Sequence, residues 1–215
     1  LSYSDARRLV EISRGNLFNA RLLKEQNADS LQQIVTREKE KNPKLFNALA
    51  HLCAGDLWFS PLSKRLVEEN ILEGEYSLLD SPLIIEEKPQ YRFLSPEVKD
   101  AVLQMSGLDN NHVHVWWARE LSKLNIPTYW IRIAHLFANG EEKRSEAFAL
   151  LMASRKEYSY PQAAFLLQKA LELFPELNGA KRKLANIYYS QGKYKEALSI
   201  LEQIKSPTLF DQAYK

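Results

Sequence analysis

Residues 183–204, KLANIYYSQGKYKEALSILEQI, hold two apolar helical patterns broken by a single glycine turn. In the first pattern Leu184, Ala185 and Tyr188 share a face, and in the second Ala197, Leu201 and Ile204 do, at the three- and four-residue spacing of an amphipathic helix. Gly192-Lys193 between them marks where one helix stops and the chain reverses. The pattern has a precursor: Leu150, Tyr160, Ala163, Leu167 and Ala170 return 34 residues later as Leu184, Tyr194, Ala197, Leu201 and Ile204. A fixed period of that length means stacked helix pairs, each burying its apolar face on the next.

The stretch closely resembles the tetratricopeptide consensus. Leu184-Ala185 occupy the paired large and small positions, Tyr188 follows one turn later, and Ala197 stands where the two helices approach too closely for a larger side chain. In the preceding repeat Tyr158-Ser159-Tyr160-Pro161 replaces the glycine turn, Ser154 stands where the aromatic belongs, and Phe174-Pro175 closes the unit. A third repeat begins near Gln212, so the array is expected to run on beyond Lys215. The resemblance implies a concave groove lined by the first helix of each pair and a protein or peptide as its partner. On that helix Arg182, Asn186 and Tyr189 lie away from the packing seam and are the expected partner-binding residues, Asn186 being able to bridge a peptide amide with its own donor and acceptor.

Upstream of the repeats, in 141–215, the chain divides into three further segments. Residues 108–140 read as a linking helical pair, at 111–124 and 127–138, hinged by Asn125-Ile126-Pro127 and closed by Asn139-Gly140. Its Trp116-Trp117 pair, flanked by Val113, Val115 and Leu121, reads as packing that seals the joint to the preceding domain. Residues 43–107 show helices at 45–52 and 62–67 and a third at 74–81. A hairpin follows, Pro82-Leu83-Ile84-Ile85 and Tyr91-Arg92-Phe93 across the Lys88-Pro89 turn, and then a helix started by Ser95-Pro96. Helix, helix, helix, strand, strand, helix is the order of a winged helix; the alternative is a helical domain with one surface hairpin. Residues 1–42 read as a small bundle of helices capped by Ser4, Asn16 and Asp29 or Ser30. The fold class expected is therefore mainly α: a small helical bundle, a winged-helix domain with one β-hairpin, and a helical superhelix.

Composition agrees with that class. The 215 residues are 45% hydrophobic and 26% charged with mean hydropathy -0.38, and 7 Gly and 9 Pro are too few for a turn-dense β-sandwich. A net charge of +2 without a run of five basic residues builds no field for nucleic acid or membrane. No apolar stretch approaches the roughly 18 residues of a membrane span. The single cysteine cannot form an internal disulfide, and a reducing cytoplasm is expected. The start at LSYSDARRLVEIS, with neither a signal-peptide core nor Met, suggests a chain that begins inside something longer.

Chemistry-bearing motifs are absent from the sequence. It contains no GxxxxGK[ST] loop, no G-x-S-x-G elbow, no HExxH pair and no Cys/His spacing suited to zinc. Cys53, in an apolar helical run, reads as core; His112 and His114 are two apart, and His51 and His135 stand alone. No catalytic residue, metal or cofactor is expected. The segment NILEGEYSLLDS at 70–81 carries Glu73, Glu75 and Asp80 but no Lys or Arg, so its carboxylates would be repelled by phosphate and direct DNA contact is disfavoured.

Two further motifs carry a second resemblance. ISRGNLFNARLL at 12–23 looks like the helical-lid segment S-x-GNP-x-x-x-x-LL, and SPLIIEEKPQYRFLSPEVKDAVL at 81–103 looks like the winged-helix close of the signal-transduction ATPases with numerous domains, the STAND class, which includes maltose-regulator-type activators. The resemblance implies a non-catalytic regulatory fragment. Its winged helix clamps an upstream ATPase domain of the parent chain, and a protein, peptide or small-molecule inducer on the superhelix releases it. The family's lid proline falls at Leu17 and its winged-helix histidine at Ser95, both altered, which leaves Arg92 and Lys99 as cations near the absent nucleotide. Two rivals remain: a tetratricopeptide adaptor or scaffold with no ATPase in its parent, and a winged-helix transcription factor.

Overall fold

The computed structural model describes residues 30–53, 58–157 and 159–204, and the chain falls into two compact units that part between Asp109 and Asn110. It is mainly α with one small antiparallel sheet. The expected positions in 1–29, Leu17 among them, lie outside the described residues.

In the first unit, α1 (Leu31–Lys41) starts where the Ser30 side chain accepts a hydrogen bond from the Gln33 N–H. Asn42 then serves two helices at once. Its backbone N–H closes α1 on the Glu38 carbonyl, and its side chain accepts from the Leu45 N–H to open α2 (Pro43–Leu52). After the short strand β1 (Trp58–Phe59) come α3 (Pro61–Asn70), capped by Ser60, and a 3-10 turn at Leu78–Asp80. The hairpin is β2 (Ile84–Glu87) with β3 (Gln90–Phe93), and α4 (Pro96–Ser106) ends at Gly107, whose φ of 66° lies in the left-handed region that favours glycine. The sheet order is β1-β3-β2, with Trp58 opposite Arg92 and Ile84 opposite Phe93. Val35, Leu49, Val67, Leu78, Phe93 and Val98 are buried outright in the core that α1, α2, α4 and the sheet share.

Two expectations for this unit are corrected. The helix read at 74–81 is a single 3-10 turn over 78–80, because Glu73 and Gly74 both adopt positive φ and Ser77 caps only from that point. The hairpin is not alone: β1 joins it at the open side of β3, a strand of two residues being too short to leave a period-two signal.

The second unit is a succession of helices: α5 (Asn110–Lys123), a 3-10 turn (Pro127–Tyr129), α6 (Trp130–Asn139), α7 (Lys143–Ser154), α8 (Tyr160–Leu173), α9 (Asn178–Ser190) and α10 (Tyr194–Glu202). Each packs on the one before it. The helix expected from Pro127 opens as a 3-10 turn and becomes regular only at Trp130. Small residues set the closest approaches. A Cβ on Gly140 would lie 2.5 Å from Val115 Cγ2, and one on Gly179 would lie 3.1 Å from Leu151 Cδ2, so α9 sits close on α7. Ala185, Ala197, Leu201 and Ile204 form one buried cluster, with Tyr188 and Ile200 packed against it. Gly192, at φ 76°, makes the turn between α9 and α10.

Candidate functional site

The first helices of the two repeats are α7 and α9, and the 34-residue period places Phe148, Met152 and Arg155 on α7 and its C-cap where Arg182, Asn186 and Tyr189 stand on α9. On α9 the seam residues Leu184 and Ala185 are buried while Asn186 and Tyr189 are exposed, Tyr189 at 51%. Tyr189 meets Tyr194 of α10 edge-on, ring centroids 5.2 Å apart. Asn186 and Tyr189 are brought together in one pocket of about 170 Å³, shared with Ala185, Tyr194, Leu198 and Leu201. Arg182, one turn earlier, is partly buried and does not line that pocket.

On α7, Phe148 is 50% exposed and stands edge-on to Trp130 of α6, centroids 6.5 Å apart. It lines a second cavity, of about 380 Å³, with Ser122, Trp130, Phe137, Arg144 and Ser145. The Arg144 guanidinium lies over the Phe174 ring, 5.3 Å from its centroid. Between the two first helices, Lys183 Nζ donates to Ser154 Oγ at 3.2 Å. Burial, and after it the positive charge of Arg155, holds the Lys183 ammonium below its ordinary pKa. Phe148 and Arg155 were missed in reading the sequence, although the period that placed Arg182 and Tyr189 already pointed to them.

In the first unit Arg92 and Ser95 both make contacts within the fold. Arg92 is 8% exposed rather than a surface cation. Its Nε and Nη2 donate to Glu87 Oε1 at 2.8 and 2.6 Å, and its Nη1 donates to the carbonyls of Phe93 and Leu94. Ser95 is buried and caps α4 by accepting from the Val98 N–H. Cys53 is core: its thiol donates to the Leu49 carbonyl, and burial pushes its pKa up to about 12. Trp117 is buried and Trp116 half-buried, their rings edge-on at 4.9 Å. Around 70–81, Glu73 and Glu75 both pair with Lys44. Among the described residues no three His, Cys, Asp or Glu side chains converge, and no helix is long and apolar enough to cross a membrane.

The exposed ring and amide of α9 thus sit on a helix pair repeated from α7 and α8. A search of curated proteins and a search of solved structures each found no match. Residues 154–215, which contain α8, α9 and α10, match the tetratricopeptide repeat family.

Proposed function

We propose that the second unit is a protein- or peptide-binding module of an adaptor or regulator, and that it binds without catalysing a reaction. The observation that carries this reading is the pairing of Asn186 with Tyr189 on the exposed face of α9, within the tetratricopeptide match. An amide that both donates and accepts, next to an exposed aromatic ring, suits an extended peptide backbone and one side chain. Arg182, one turn away, extends the same face. A peptide selected on the chain from a random display library is expected to bind Asn186→Ala about 1–3 kcal/mol more weakly, the usual consequence of leaving a polar partner unpaired, with the melting temperature unchanged. Equal affinity in a calorimetric titration removes Asn186 from the site.

A finer reading makes the chain the regulatory region of a STAND-type signalling ATPase or transcription regulator in the cytoplasm. Its segments are then a lid bundle at 1–42, a winged helix at 43–107, a linking pair at 108–140 and a repeat sensor at 141–215. Support for the winged-helix part is limited to the first unit's antiparallel hairpin, which follows helices at 43–52 and 61–70 and precedes one at 96–106. The acidic 70–81 segment argues against DNA as its partner. An inducer, protein or small molecule, then acts by binding the released state more tightly than the clamped one. The coding sequence of the parent decides it: a phosphate-loop ATPase domain upstream of Leu1 upholds the reading, and its absence leaves the adaptor.

A further inference from the structure

The charges of the second unit are unevenly shared between first and second helices. α7 with its two caps carries Lys143, Arg144 and Arg155 against Glu142 and Glu146, and α9 carries Arg182 and Lys183 with no acid, its third cation, Lys181, being buried with Nζ donating to the Gln203 carbonyl beyond α10. α8 has Lys169 with Glu172, and α10 with its N-cap has Lys193 and Lys195 with Glu196 and Glu202. Glu146 lies in the field of His135 on α6, of Lys169 on α8 and of Lys143 on its own helix, and Glu142 is paired with Arg119 of α5. Arg155 and Lys183 are instead close enough to repel each other.

Beside this cationic seam lies the aromatic cavity of Trp130, Phe137 and Phe148. Its 380 Å³ is at the lower end of the roughly 300–1,000 Å³ of ligand pockets and suits one apolar side chain. From Phe148 to Arg155 is seven residues of one helix, about 10 Å at about 1.5 Å per residue. An extended peptide covers that distance in about three residues at roughly 3.3 Å each.

We infer that the α7–α9 groove takes an acidic peptide, an apolar side chain of which fills the Phe148 cavity while a carboxylate three residues away pairs with Arg155. The inference rests on the peptide-binding reading above and adds to it the class of ligand and its spacing. Lys183, held by Ser154, supplies a second positive charge at the same place and raises the penalty for a basic ligand.

The test uses fluorescein-labelled eight-residue peptides in a Gly/Ser background, titrated with the whole chain by anisotropy. One carries Phe and Glu three residues apart, prepared in both orders; two others replace that Glu by Gln or Lys. In one of the two orders the Glu peptide is expected to bind about tenfold more tightly than its Gln counterpart, the effect of one partly desolvated charge pair, and the Lys peptide more weakly still. The preference disappears in Arg155→Gln and survives in Arg155→Lys, while Phe148→Ala weakens every peptide. Both side chains are exposed, and thermal melts of the variants confirm the fold. Equal binding of the Glu and Gln peptides, still weakened by Asn186→Ala, overturns the acidic ligand and leaves the binding module. If none of the peptides binds, or if binding ignores Phe148→Ala and Asn186→Ala alike, both readings fall.

Discussion

Glu68 shows how much one side chain organises. Its Oε1 accepts from Ser77 Oγ and the Leu78 N–H at 2.9 Å each, and its Oε2 takes Lys64 at 2.6 Å, so α3 is tied to the 3-10 turn that follows it. Burial alone would raise its pKa, but the hydrogen bonds from Lys64, Leu78 and Ser77 outweigh it and hold the carboxyl below its ordinary 4.5. A depressed carboxyl stabilises the fold above its unfolded value and ceases to do so as pH falls through the folded one. Glu68→Ala is therefore expected to lower stability by about 1–3 kcal/mol at pH 7, with the gap to wild type closing as the pH drops below about 4.5, in urea melts run across that range. Ala197 is a residue of the opposite kind, defined by what it lacks. It is 4% exposed where α9 meets α10, and Ala197→Leu is expected to overpack that crossing and lose about 1–3 kcal/mol in thermal denaturation. The small residue at 197 and the packing positions of the second repeat were legible because a repeat compares a chain with itself. The role of Arg92 was not, since its partner Glu87 meets it only across the hairpin turn.

Among the elements, legibility followed length and punctuation. α9 and α10 lie where Leu184, Tyr188, Ala197 and Leu201 placed them, and Ser30 and Ser95 cap the helices they precede. The 74–81 segment misled because Tyr76, Leu78 and Leu79 have helical spacing, whereas Leu78 alone is buried and Tyr76 and Leu79 stay about 40% exposed at 42% and 40%. β1 went unseen because its pairing depends on β3, some thirty residues on. Gly140 read as simple punctuation, yet it lets the end of α6 approach α5. A methyl there meets Val115 Cγ2 at 2.5 Å and the Asn111 carbonyl oxygen at 3.0 Å. Gly140→Ala is expected to lower stability by about 1–3 kcal/mol, and pairing it with Val115→Ala relieves only part of the loss because the carbonyl cannot move aside. A double-mutant cycle on the melting midpoints measures that remainder.

At the scale of the molecule, the phosphate-binding loop that the sequence lacks decides the expected behaviour towards nucleotides. With Ser95 and Arg92 committed inside the first unit, ATP is expected to bind no more tightly than the millimolar range and not to be hydrolysed; micromolar binding by calorimetry refutes this. The near-neutral total of +2 conceals the cationic first helices, which is why composition alone named no partner. Cys53 offers a chemical clock. It is the single thiol of 215 residues, and with a pKa near 12 almost none of it is thiolate in the folded state at neutral pH. A thiol-directed reagent can then modify the chain only as often as the first unit opens. Three of the four tryptophans, Trp116, Trp117 and Trp130, belong to the second unit and report on it by fluorescence. Alkylation rate and emission followed in the same denaturant series, with Trp58→Phe removing the first unit's share of the emission, would therefore time the opening of each half through a group native to it.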